Sequence, residues 1–133
     1  MATIRKEFQL DAGPGEVWDA VRDFGAVHLR VAPGFLADCR MEGNARIVTF
    51  ANGLVARELL VDIDERNRHL AYAITEGRTT HYNASMQIFD GADGGTRAVW
   101  IIDVLPNEMA GPIDAMAEHG VAAMRKKLGR QAA

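Results

Sequence analysis

The sequence predicts an α+β domain in which a curved antiparallel sheet of six to seven strands closes around one long C-terminal helix. Two short helices follow the first strand. Three observations predict this. Apolar residues recur at period two through most of the segment from Phe35 to Val104. Short turn signals, and no helix-length periodic stretches, separate those runs. From about Met109 to Leu128 the period changes to 3.6. Consecutive strands joined by tight turns and followed by a helix form an antiparallel sheet, not βαβ units.

Residues 3–10 open the chain with Ile4, Phe8 and Leu10 on one side of a strand. Asp11-Ala-Gly-Pro-Gly ends it, and Pro14 suits a first helical turn. Val17, Trp18, Val21 and Phe24 then fall at helical spacing between Glu16 and Phe24. Gly25 interrupts, and Ala26–Val31 supplies a second short helix before Pro33-Gly34. Phe35, Ala37, Cys39 and Met41 alternate with Leu36, Asp38, Arg40 and Glu42 up to the Gly43-Asn44 turn. Arg46–Ala51 is rich in strand formers, and Asn52-Gly53 reads as a two-residue hairpin loop. Leu54–Asp64 is the next strand, with Leu59, Val61 and Ile63 assigned to one face. After the polar turn at 64–67, Leu70, Tyr72 and Ile74 alternate, then Tyr82, Ala84, Met86 and Ile88. A glycine-rich loop at 90–95 precedes Ala98, Trp100, Ile102 and Val104, and Pro106 stops the last strand. In the C-terminal stretch Ile113, Met116, Ala117, Val121, Met124 and Leu128 form one apolar stripe, and Pro112 places the helix start near Gly111. A bent sheet wrapped on a single helix leaves unfilled space on its concave side, where small molecules bind. This is a helix-grip arrangement.

Composition narrows the function. The 133 residues suit one domain, 1–133. With 48% hydrophobic and 25% charged residues, a net charge of −3 and no basic stripe, the chain lacks the footprint of a nucleic-acid binder. The excess at Arg125-Lys126-Lys127 and Arg130 complements a helix C-terminus. No window approaches the ~18 apolar residues of a membrane span. The N-terminal residues lack a signal-peptide apolar region, so the expectation is a cytoplasmic protein, monomer or homodimer, with no membrane partner. The single cysteine, Cys39, forms no intrachain disulfide and no multi-cysteine metal site. The four histidines show no ligand spacing, so neither metal nor cofactor is expected.

Element order and particular residues together resemble the START, birch-pollen-allergen and polyketide-cyclase superfamily (SRPBCC), nearest its bacterial polyketide-cyclase/dehydrase branch. The residues carrying the likeness are the run from Pro14 through Val17-Trp18 to Asp23-Phe24, Pro33-Gly34, Arg46, Asn52-Gly53, Glu58-Leu59, Asp64, Leu70-Ala-Tyr72, Tyr82, Trp100 and the terminal helix. The resemblance spans essentially the whole chain. It implies binding of a lipid, polyketide or other apolar molecule more firmly than it implies catalysis.

The chemistry-bearing candidates follow. With a two-residue loop at Asn52-Gly53, Glu58 lies near Ile47 and diagonally close to Arg46. In a cavity, that pair would orient a carbonyl or carboxylate and supply an acid or base; on a wet face it would be an ordinary cross-strand ion pair. Tyr72, Tyr82 and Trp100 carry polar tips on apolar strand faces, serving either a ligand or the core. Met86, Met109, Met116 and Met124, with Ile113 of the C-terminal helix, offer adaptable apolar wall to a cavity or fill the core. His119 sits at the margin of the helical stripe. His28 lies in the helix-to-strand segment, which in the superfamily borders the cavity entrance, and is the candidate histidine base beside His119. His81 is expected opposite Tyr82, and Asp103 on the outer face. Two functions stay open: a module binding a small hydrophobic molecule, and a cyclase or dehydratase using Glu58 or a histidine as acid/base with Arg46 as anion stabiliser. A protein-interaction module is a third and weaker possibility.

Overall fold

The structure, a computed structural model, describes residues 2–129. Strand β1 (Ala2–Leu10) leads through Pro14 into α1 (Pro14–Arg22). A 3-10 turn at Phe24–Ala26 and the single-turn α2 (Val27–Arg30) follow. Six strands come next: β2 (Leu36–Glu42), β3 (Ala45–Phe50), β4 (Val55–Asp64), β5 (His69–Ala73), β6 (His81–Asp90) and β7 (Thr96–Leu105). Helix α3 (Ala110–Leu128) closes the chain, one residue earlier than Pro112 suggests, with a 3-10 turn at Asn107–Met109 ahead of it. The seven strands form one antiparallel sheet in the order β1-β7-β6-β5-β4-β3-β2. The first strand therefore pairs with the last, and β2 stands at the far edge.

Alternation sorts the two faces as the sequence predicts along β6 and β7. Tyr82, Ala84, Met86 and Ile88 are buried, as are Ala98, Trp100, Ile102 and Val104. His81 is exposed, and Asp103 lies on the outer face, where its carboxylate accepts a hydrogen bond from Thr3 at 2.7 Å. Helix α3 turns Ala117, Gly120, Val121, Met124 and Leu128 inward. It is tied to β1 by Lys6, whose ammonium reaches Asp114 at 2.6 Å and Glu118 at 2.5 Å. The Ala12 amide donates to the Leu128 carbonyl at 3.1 Å, fixing the helix's far end. Helix α1 buries Val17, Trp18 and Val21, and its Trp18 indole N–H donates to Glu65 in the β4–β5 turn at 2.8 Å. Arg30 of α2 grips Asp19 and Asp23 at 2.5 and 3.0 Å. These exposed ion pairs each contribute little, but together they hold both short helices across the open end of the sheet.

Three local expectations are corrected. The β3–β4 connection is the three-residue loop Ala51-Asn52-Gly53: the Phe50 amide bonds to the Leu54 carbonyl at 2.8 Å, and Gly53 takes φ +90°. Glycine at that left-handed position ends a three-residue hairpin turn. The extra residue moves the register by one, so Arg46 faces Glu58 directly and Ile47 faces Arg57. In β4 the register shifts between Leu60 and Asp62, a bulge at Val61. Leu60 and Ile63 therefore pack on the core while Val61 is exposed, and the expected face of Leu59, Val61 and Ile63 is broken. A second shift, between Leu36 and Asp38, places Leu36 and Cys39 on the same buried face; Met41 shares the parity of Cys39 but lies exposed on the edge strand beside Gly25.

Candidate functional site

Strands β2 to β7 contribute side chains to one pocket, β2 through Leu36. From β3 comes Arg46, from β4 Glu58, from β5 Leu70 and Tyr72, from β6 Tyr82 and Met86, and from β7 Trp100. Met116, Gly120 and Met124, spaced by four along α3, form the opposite wall. Val21, Val27, Val31 and Ala32 close one end. Phe35, Phe50 and Met116 are the lining residues that are only half-buried, so the cavity reaches the surface between them. Its volume is about 70 Å³. Sites that engulf drug-sized ligands begin near ~300 Å³, so the resting cavity admits a guest of ordinary size only if its walls move. Three of those walls are methionines, unbranched side chains that repack easily.

The polar groups are grouped on the sheet side. Arg46 and Glu58 are both buried, and the Arg46 Nε donates to Glu58 Oε1 at 2.7 Å. Arg46 Nη1 donates to the Phe24 carbonyl at 3.1 Å. The guanidinium carbon lies 3.9 Å from the Phe24 ring centroid and 5.1 Å from that of Tyr72. A cation between two rings, a carboxylate and a carbonyl is well compensated. The Trp100 indole N–H donates to the Tyr72 hydroxyl oxygen at 3.2 Å, and the Tyr82 hydroxyl interacts with the same oxygen. Burial pushes both phenols well above their ordinary range, and the Glu58 charge raises each of them further. Cys39 is buried near the ion pair, and burial is the main force raising its thiol.

Gly120 is what allows the helix to sit so low on the sheet. A Cβ there would meet the Trp100 ring at 3.0 and 3.2 Å and the Phe35 ring at 3.3 Å. An interior helical glycine carries a penalty of about 1 kcal/mol; here it gives contact between backbone and indole.

Of the residues singled out from sequence, Arg46, Glu58, Tyr72, Tyr82, Trp100, Met86 and Met116 come together on the cavity wall. Ile113 is half-buried against the core outside the lining. His119 is exposed, because Met116, Gly120 and Met124 take the inward face and position 119 turns about 100° away from it. His28 is half-buried on α2 with its Nδ1 buried and unpartnered, but its neighbours Val27 and Val31 line the cavity in its place. Sequence reasoning missed Gly120, Leu70, Phe35 and Phe50. Leu70 was legible, since it shares the parity of Tyr72.

The two buried phenols predict an alkaline weakness. Their pKa values are raised in the folded chain, so they stabilise it fully below the unfolded value of 10.0 and progressively less above it. Each phenol that ionises only on unfolding adds a slope of about 1.4 kcal/mol per pH unit. Urea midpoints measured from pH 9 to 11 should fall, and Tyr82→Phe should fall less steeply. Parallel slopes would contradict that burial.

A sheet gripping one helix around an apolar pocket, with its polar groups gathered at one side, defines a ligand-binding domain. The chain belongs to the family described as polyketide cyclase / dehydrase and lipid transport, whose model matches residues 1–133. Solved structures share the fold at low identity. An uncharacterized protein from Bacillus thuringiensis matches with a TM-score of 0.84 at 15% identity, over 96% of this chain and 98% of its own. A START superfamily protein from Mycobacterium smegmatis matches at 0.75 and 14%, over 95% and 96% of the two chains. A protein from Thermobifida fusca matches at 0.76 and 22%, over 99% of each. No protein of curated function matches in sequence. Among the described residues, no helix is long and apolar enough to cross a membrane.

Proposed function

We propose that this protein binds a small hydrophobic molecule in the cavity between the sheet and α3. The supporting observation is the wall itself: aliphatic, aromatic and methionine side chains surround the space, and its charged groups are already paired with each other. The family description, which includes lipid transport, points the same way. Burying apolar guest surface at about 25 cal/mol per Å² drives such binding, and repacking of Met86, Met116 and Met124 makes the room.

The neutral fluorophore N-phenyl-1-naphthylamine tests this reading. The protein should bind it with saturable, blue-shifted emission. Gly120→Leu pushes a side chain between α3 and Trp100 and should weaken binding by roughly tenfold or more. Met116→Trp blocks the rim without touching that contact and should act in the same direction. Saturable binding unaffected by either variant would place the probe elsewhere and refute the proposal.

The enzymatic alternative, cyclisation or dehydration with Glu58 or a histidine as acid/base and Arg46 stabilising an anion, has less support. No histidine is among the lining residues, and Glu58 already commits one carboxylate oxygen to Arg46. Glu58→Gln should abolish turnover if the carboxylate shuttles a proton.

A further inference from the structure

Resting on the reading of this cavity as a binding site, we infer that it selects uncharged guests bearing a carbonyl or similar acceptor and rejects carboxylates of the same shape. The argument starts from the charges. Arg46 and Glu58 are the charged residues in the lining, one of each sign, joined at 2.7 Å. An apolar pocket that captures a fatty-acid-like head needs a cation whose charge no neighbouring anion cancels. Here the Arg46 charge is cancelled by Glu58 at 2.7 Å, and the guanidinium is further held by the Phe24 carbonyl at 3.1 Å and by the faces of Phe24 and Tyr72. A carboxylate guest would lose its water, find no unmatched positive charge, and lie close to Glu58. Both the loss of hydration and the repulsion oppose it.

Neutral donors are present instead. Tyr72 and Tyr82 stand side by side on the wall. The Trp100 N–H fills an acceptor position on the Tyr72 oxygen, and a phenol whose lone pair is taken still has its own proton to give. Both phenols stay protonated and add no negative charge; the Tyr82 hydroxyl is turned to the Tyr72 oxygen, so the Tyr72 proton is the donor left for a guest. The remaining wall is apolar and suits a ring or alkyl body. The guest class is therefore a ketone, quinone, ester or lactone, as opposed to a free acid.

The test uses a matched pair: methyl 2-naphthyl ketone and 2-naphthoate, which differ by a methyl group in place of a charged oxygen. Each is titrated at pH 7.5 against the full chain, with N-phenyl-1-naphthylamine displacement as readout. The wild-type protein should bind the ketone at least about tenfold more tightly. Glu58→Gln removes the negative charge and leaves the guanidinium uncompensated, so the ketone-to-naphthoate ratio should fall by about tenfold or more. Equal or tighter wild-type binding of naphthoate overturns the selectivity while leaving the cavity as a binding site. Failure to bind the fluorophore at all refutes the binding reading, and the selectivity with it. An unchanged ratio in a folded Glu58→Gln protein overturns the part assigned to the ion pair. Should that variant not fold, the wild-type ratio alone decides.

Discussion

Arg46→Met is expected to destabilise the protein by about 3–5 kcal/mol, because it strands the Glu58 carboxylate in the interior without its partner. The loss has three sources: the 2.7 Å charge-assisted bond to Glu58, the bond to the Phe24 carbonyl, and the stacking on Phe24 and Tyr72. The double variant Arg46→Met with Glu58→Met should recover most of that, to within about 2 kcal/mol of the wild type, since apolar pairs of similar volume often replace buried ion pairs at little cost. Urea unfolding of the two singles and the double supplies the cycle. A loss below about 1 kcal/mol for Arg46→Met would show the pair to be solvated, as a surface pair would be. The double variant also bears on function: it is neutral, like the wild-type pair, and should keep the preference for uncharged guests.

Trp100→Ala is expected to remove about 3–5 kcal/mol as well, by a different route. Trp100 is the sheet-side floor of the cavity, touches the Gly120 position of α3 and donates to the Tyr72 hydroxyl. Its truncation leaves a void and takes a donor from a buried phenol. The void joins the existing space, so the variant should bind larger neutral guests and be stabilised by them more than the wild type is. Thermal melts with and without guest would read both effects. Trp100→Phe keeps one six-membered ring and drops the rest of the indole with its N–H, so a smaller loss of about 1–3 kcal/mol is expected. Comparable losses for the two variants would mean that the lost ring and its N–H matter more than the phenyl-sized part that Phe retains.

Much of the fold and part of the site could be read from sequence, and each failure has a local physical cause. Period-two alternation placed Tyr72, Tyr82, Met86 and Trp100 inward, because β5, β6 and β7 pair with one another in unbroken register. It failed in β2 and β4, where one extra residue at Ala37 and at Val61 reverses the parity of everything beyond. No side-chain pattern announces a bulge. The hairpin signal at Asn52-Gly53 was real but ambiguous between a two- and a three-residue loop, and that single residue decided whether Arg46 and Glu58 meet diagonally or face to face. Helix α3 was legible as a stripe, but its cavity-facing line runs through Gly120, which contributes no hydrophobic signal at all. The same rotation that turns Gly120 inward carries His119 into water.

The rim has a kinetic meaning. Phe35 and Phe50 meet edge to face with centroids 5.4 Å apart, and with Met116 they form the boundary between the interior and water. These side chains carry no hydrogen-bonding groups, so parting them breaks only dispersion contacts and exposes a modest apolar area. Entry then requires rotations of three side chains rather than the swing of a lid, motions far faster than domain opening. A guest of the proposed kind, held behind such a latch, would exchange at a rate set mainly by how well it fits inside.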